Sequence, residues 1–178
     1  MLERCRQIQL SLNLKKCIFL TPISILLGHV VCKDGIKVDM AKIKIILDLK
    51  PPTNPKQIWV FLGHTSYYWK FIRQYSDITF PLDELLWQGV EFTWSKECND
   101  SFEMLKKKLV EAQILKFPNW SIRFHVHINA SAIVVRVILT QPYDDVNHPN
   151  SYASQKLNSA ECNYSTTERE ALGMVFSL

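Results

Sequence analysis

The chain has 178 residues, 47% of them hydrophobic and 21% charged, enough apolar material for one or two domains and too ordinary a charge content for wholesale disorder. Its net charge of +4 permits a nucleic-acid partner without requiring one. The five cysteines, Cys5, Cys17, Cys32, Cys98 and Cys162, form no C-x-x-C pair and read as reduced thiols rather than a disulfide framework or a zinc site. No apolar run approaches the roughly 20 residues that span a bilayer, and the N-terminus lacks the apolar core of a signal peptide. An intracellular chain, nuclear or cytoplasmic, is expected.

Residues 2–7 carry no strand or turn signal. In residues 15–31 the signals are β-like. Cys17, Ile18 and Phe19 form a short apolar run, Thr21-Pro22 a turn, and residues 25–31 a strand in which Gly28 hints at a bulge or a close approach. Lys33-Asp34-Gly35 is expected to turn, because Asp-Gly supplies positive φ, and Ile36 and Val38 return as a third strand.

The period changes at Asp39, a plausible N-cap for a helix that buries Ile43, Ile46 and Leu47. Pro51-Pro52 ends it. Asn54 then caps a second helix with Pro55 at its first position and Gln57 completing the cap. Its period runs through Ile58, Phe61, Leu62, Thr65, Trp69 and Ile72. Gly63 weakens that helix by ~1 kcal/mol unless close packing needs it. Pro81 opens a short helical stretch over 82–86, and Trp87-Gln88-Gly89 turns.

Ser95 caps a helix with Phe102, Leu105, Leu109 and Ala112 on one face and Lys106, Lys107 and Lys108 mostly on the other, a solvated surface. Residues 117–120 have linker chemistry. Beyond them, Phe124, Val126 and Ile128 alternate with His125 and His127, a half-buried strand whose histidines face water rather than a metal. Residues 133–139 read as a central strand. Residues 147–150 read as a turn and residues 152–157 as a third strand. Ser165 and Glu168 form a capping box for a last helix, with Ala171, Met174, Val175 and Leu178 as its buried stripe. That apolar run has no cap of its own, so both ends are expected to be cuts through a longer protein.

Taken in order, several segments resemble the gypsy-like LTR-retrotransposon polyproteins. Ser11-Leu12-Asn13-Leu14-Lys15-Lys16-Cys17 is similar to the strand after the polymerase catalytic hairpin. Leu26-Leu27-Gly28-His29-Val30-Val31 resembles the primer grip, which holds the primer 3′ end. Asp34-Gly35-Ile36-Lys37-Val38-Asp39, Phe61-Leu62-Gly63-His64 and Tyr67-Tyr68-Trp69-Lys70-Phe71-Ile72 resemble the thumb. Residues 124–131, 152–157 and 163–170 resemble the opening of the RNase H domain. The resemblance implies an α+β fold divided at 1–38 (end of the palm with a primer-grip-like hairpin), 39–117 (helical thumb and connection) and 118–178 (the N-terminal part of an RNase H-like mixed sheet with one helix).

Both chemistries of that family use Mg²⁺ held by carboxylates, since hard cations prefer charged oxygen. The polymerase aspartate pair is expected upstream of Met1. Tyr143-Asp144-Asp145 reads as a coincidental solvated turn. By motif position Glu170 matches the helix glutamate of the RNase H set, but Asn129 stands where the strand aspartate belongs. Arg136 replaces a usual glycine inside an apolar strand, where an unpaired buried charge is expensive. The resemblance therefore implies no RNA cleavage and no complete metal site, with Glu170 vestigial, Asn129 non-functional and no Mg²⁺ bound.

Leu27, Gly28 and His29 are the primer-grip-like residues. Lys70 and Arg73, placed on the second thumb helix, are the expected phosphate contacts. The implied partners are an RNA–DNA hybrid or DNA duplex and the rest of the polyprotein, with no membrane. The alternatives are a non-catalytic nucleic-acid-binding module and an inert remnant. An incomplete sheet with an open edge also predicts weak hydrogen-exchange protection from Phe124 onward.

Overall fold

The computed structural model describes residues 2–143 and 146–177. It is an α+β fold built from two three-stranded antiparallel meanders with helices between and after them. The chain opens with a short helix, α1 (Leu2–Gln7), that buries none of its residues; the sequence carried no signal for it. Residues 17–19 are not a strand.

The first sheet comprises β1 (Ile23–Leu26), β2 (His29–Cys32) and β3 (Gly35–Val38). The single strand expected over 25–31 is broken at Leu27-Gly28, because Leu26 pairs with His29 and the two residues between them form a tight turn. Cys32 pairs with Gly35. The second loop is therefore Lys33-Asp34, and the positive φ of Gly35, 140°, belongs to the first residue of β3.

Asp39 caps α2 (Met40–Leu47) by accepting from the Ala41 amide at 3.0 Å. Asn54 caps α3 (Pro55–Ser66) through the Gln57 amide at 3.0 Å. That helix does not run on to Ile72. It ends at Ser66, and a 3₁₀ turn, Trp69–Phe71, follows, so Lys70 sits on the turn and Arg73 just after it. Next come α4 (Tyr75–Glu84) and α5 (Lys96–Val110). Pro81 lies inside α4 and does not start a helix; packing of α4 on α5 overrides the local signal. Ser95 caps α5 at the Cys98 amide as expected.

One core joins these parts. Ile43, Ile58, Phe61, Ile72, Leu82, Phe102, Leu105 and Leu109 are nearly or completely buried in it. At an average gain of ~1.5–3 kcal/mol per large apolar side chain, this cluster dominates stability. Lys106 is not plain surface. Its ammonium donates to the Leu47 and Leu49 carbonyls at 2.9 and 2.6 Å and lies over the Phe102 ring, which closes the C-terminus of α2.

The second sheet orders β4 (His125–Ala130), β5 (Val134–Tyr143) and β6 (Val146–Lys156), with β5 in the centre. The turn expected over 147–150 is instead part of β6, whose register shifts opposite Leu139/Thr140. The residues before β4 are held by Gln141, which is fully buried. Its amide accepts from the Asn119 N–H at 2.9 Å and donates to the Asn119 carbonyl at 2.8 Å.

Finally α6 (Thr166–Phe176) carries the expected Ser165–Glu168 capping box. Its buried stripe is not Ala171, Met174 and Val175. Ala171 is exposed and Met174 and Val175 are 60% and 70% exposed, while Leu178 lies outside the described residues. The helix touches the sheet through Gly173, where an added Cβ would sit 2.5 Å from Ile128 Cγ2.

Gly63 is the opposite case, with open space around the position of a Cβ. No packing requires glycine there. Gly63→Ala is expected to raise stability by up to about 1 kcal/mol from helix propensity alone, measurable as a higher midpoint in chemical denaturation with an unchanged slope.

Candidate nucleic-acid interface

The Leu27-Gly28 turn has positive φ at both residues, 47° and 70°. This geometry matches the right-handed twist of the flanking strands. Glycine adopts it freely; leucine does so at a strain of about 1–2 kcal/mol. Two tyrosines from the end of α3 hold the turn. Tyr67 Oη donates to the Leu27 carbonyl, and Tyr68 Oη donates to the Gly28 carbonyl at 3.1 Å. A Cβ on Gly28 would press on the Tyr67 ring at 3.3 Å. The turn is thus clamped to residues forty positions away, while the Leu27 side chain is left 81% exposed.

His29 is part of this clamp. Its ring lies among Tyr67, Tyr68 and Phe71, with centroids 5.1, 5.6 and 5.5 Å away. Its Nδ1 faces the Leu27 carbonyl at 2.9 Å, while Nε2 is buried without a partner. An Nδ1–H donor and a neutral ring satisfy this arrangement. Burial lowers the pKa below the ordinary 6.5, outweighing the Leu27 carbonyl, which favours the charged form; Lys70 adds to the lowering. The unfolded chain therefore takes up a proton before the folded chain does. The stabilisation from neutral His29 is complete above pH 6.5 and is lost as pH falls from there through the folded value. Denaturant titrations between pH 7 and pH 5 are expected to show declining stability, with a shallower decline in His29→Phe.

Lys70 stands beside the clamp. A cleft of about 560 Å³ is lined by Leu26, Leu27, His29, Tyr67, Trp69 and Lys70. A second, of about 420 Å³, lies on the other side of Tyr67, with Gly28, Lys42 and His64 in its wall. Strained backbone, exposed apolar side chains and lysines thus share one face. Exposed backbone and stacking surfaces beside ammonium groups suit a phosphate backbone.

Arg73 is elsewhere. It lines a smaller cavity of about 210 Å³ together with His127, Asn129, Arg136 and Tyr152. The expected pairing of Lys70 with Arg73 on one helix is therefore replaced by two faces. Arg136 is not an unpaired charge. Its Nε donates to Asp77 Oδ2 at 2.9 Å and its Nη2 to Asp77 Oδ1, and Nη1 donates to Asn129 Oδ1 at 2.8 Å. The bidentate pair with Asp77 raises the guanidinium pKa further, against the opposing effect of burial. Asp77 lies on α4, so the contact crosses from helix to sheet. Two more ties follow the same seam, Ser76 with Ser154 at 2.8 Å and Lys156 with Asp83 at 2.5 Å.

The residues in this corner do not fit a Mg²⁺ pair. The Asn129 oxygen already accepts from a cation, and Glu170 is exposed on the second turn of α6. Among the described residues no three His, Cys, Asp or Glu side chains converge as a metal site. His125 and His127 are both exposed, and His127 Nε2 lies 3.1 Å from Thr140 Oγ1. Asp144 and Asp145 of the Tyr-Asp-Asp sequence lie outside the described residues.

The profile of an RNase H-like domain found in reverse transcriptase matches residues 94–178. The Pol polyprotein of transposon opus from Drosophila melanogaster is 36% identical over 180 residues, covering 95% of this chain and 18% of that protein. That of transposon 297, from the same organism, is 38% identical over 169 residues, covering 94% of this chain and 16% of that protein. The chain's homologues are retrotransposon Pol polyproteins, and its second half carries an RNase H-like reverse-transcriptase domain. More distantly, the Tf2-3 polyprotein of Schizosaccharomyces pombe is 30% identical over 99% of this chain and 13% of its own length.

The chain spans less than a fifth of the length of the curated relatives it matches. In three dimensions it is similar to the foamy viral protease-reverse transcriptase solved with an RNA/DNA hybrid. The TM-score is 0.78 at 22% identity, over 99% of this chain and 25% of that one. The same viral protein solved with double-stranded DNA gives 0.77. No helix is long and apolar enough to cross a membrane among the described residues.

The residues that sequence reasoning missed are Tyr67 and Tyr68 as the clamp of the turn, and Asp77 as the partner of Arg136. The aromatic cluster at 67–71 was a usable signal for the first; nothing local marks Asp77.

Proposed function

We propose that this chain holds the primer–template duplex and does not itself cleave RNA. The observation that supports this most is the Leu27-Gly28 turn, with Leu27 strained and exposed, clamped by Tyr67, Tyr68 and the half-buried His29 ring beside Lys70. The fold likeness to a reverse transcriptase solved on an RNA/DNA hybrid favours that class of ligand. In this reading residues 1–38 end the palm, 39–117 form the thumb and connection, and 118–178 open the RNase H-like domain. Glu170 is a vestigial ligand, and Asn129 carries no catalytic role. Lys70 contacts phosphate beside the turn, and Arg73 contacts it from the separate cavity near the sheet.

The test is binding of an RNA–DNA hybrid across a salt series. Each ammonium or guanidinium on a phosphate contributes about 0.9 to the slope of log affinity against log salt on B-form duplex. Lys70→Ala is expected to reduce the slope by roughly one and weaken binding several-fold, and Arg73→Ala to do the same independently. Absence of binding at low salt by a folded sample would favour the inert remnant.

A further inference from the structure

The RNase H-like corner raises a separate question, because its charge is arranged the wrong way round for a metal site. A two-metal centre is a set of carboxylates around a vacant cation position. Here the position beside residue 129 is filled from within. Arg136 is the direct cross-strand partner of Asn129, on β5 opposite β4. Its guanidinium reaches Asn129 on one side and spans both oxygens of Asp77 on the other. The side chains of Arg136 and Asp77 are only 23% and 25% exposed.

We infer that Arg136 is a built-in cation that takes the place of the metal, excluding divalent ions from this corner and fastening α4 to the RNase H-like sheet. Two elementary facts carry this. A fixed guanidinium and a divalent cation repel strongly at contact distance in a partly desolvated site. In addition, the amide oxygen of Asn129, the ligand atom offered by β4, is spent on Nη1. An aspartate at 129 alone would not restore a site, because a carboxylate there would become a second anion for the same arginine. Restoring one requires Arg136 to leave, which would also release Asp77. The fastening function explains why an arginine is tolerated in an otherwise apolar strand between Val135 and Val137, 1% and 6% exposed. Charge-assisted and bidentate, it replaces a metal bridge with a direct tie between two parts of the chain.

This inference stands on the corner alone and does not depend on duplex binding, so the two readings fail separately. The experiment is Mn²⁺ titration of the ¹⁵N-labelled full chain, reading paramagnetic broadening amide by amide, which registers even weak binding without any catalysis. The wild type and Asn129→Asp are expected to show no selective broadening at Ile128, Asn129 (or Asp at that position) and Ala130. Asn129→Asp combined with Arg136→Gly is expected to show it, with a dispersed spectrum certifying the fold. Should that pair fail to fold, Asn129→Asp with Arg136→Met keeps the strand packed and removes only the charge. Selective broadening in the wild type would overturn the inference. So would its absence in a folded double variant, since Arg136 would then not be what keeps metal out.

Discussion

Gly35→Ala is expected to lower the folding stability of the chain by about 3 kcal/mol or more, the largest effect of any single methyl group added here. The reason is a close backbone approach. Ile36 and Leu115 exchange two hydrogen bonds, N–H to carbonyl at 2.9 and 3.0 Å, which tie β3 to the segment leaving α5. Gly35 lies against that segment, and a Cβ on it would land on the Leu115 carbonyl oxygen and reach Ile114 Cγ2 at 3.0 Å. Its φ of 140° is also one that L side chains rarely adopt. Backbone cannot rotate aside as a long side chain can, so the two hydrogen bonds must stretch or β3 must detach. Denaturant midpoint measurements check the loss. Gly63→Ala, with nothing near its Cβ, is the control expected to move the other way.

Asp77→Ala is expected to cost about 2 kcal/mol, and more than Arg136→Met with Asp77→Ala together. Removing the carboxylate alone strands a three-quarters-buried guanidinium with only the Asn129 amide oxygen as acceptor. Removing both charges leaves an apolar side chain in a strand that is already apolar, which is the less damaging change. A double-mutant cycle in chemical denaturation measures the coupling. Additive single effects would mean that the pair is solvated and contributes little.

Much of the helical architecture was legible in the sequence, because caps are local. Asp39, Asn54, Ser95 and Ser165 each accept the amide expected of them, and Phe102, Leu105 and Leu109 face the core as their spacing implied. What failed was decided at a distance. Leu27 is a poor residue for positive φ, so the first hairpin turn was invisible until Tyr67 and Tyr68 were seen to clamp it from another element. Pro81 resembles a helix start in isolation, but the packing of α4 against α5 carries the helix through it. The apolar stripe at Met174 and Val175 is real as a pattern; its contact with the sheet runs instead through Gly173, where the absence of a side chain permits the approach. Arg136 looked like an error in a buried strand because Asp77, fifty-nine positions earlier, carries no mark of partnership.

The candidate site divides in the same way. Leu27 and His29 do come together with Lys70 around one cleft, while Gly28 lines the neighbouring cleft across Tyr67. Arg73 does not; it faces the sheet beside Asn129 and Arg136. A helix running unbroken to Ile72 would have kept Lys70 and Arg73 on neighbouring faces, and the 3₁₀ turn at Trp69–Phe71 separates them. The resemblance marked the amide at 129 and the guanidinium at 136 as departures from a carboxylate set. Their mutual hydrogen bond at 2.8 Å could be found only in the structure.

A duplex held by the clamped turn can be located by mapping a short RNA–DNA hybrid onto the ¹⁵N-labelled chain through chemical-shift changes at low salt. Saturable shifts are expected at Leu27, Gly28, His29, Tyr67 and Lys70 that disappear as salt is raised, with the Lys107 region unmoved. Binding that leaves the turn unperturbed and shifts only the lysine face of α5 would contradict a duplex held there.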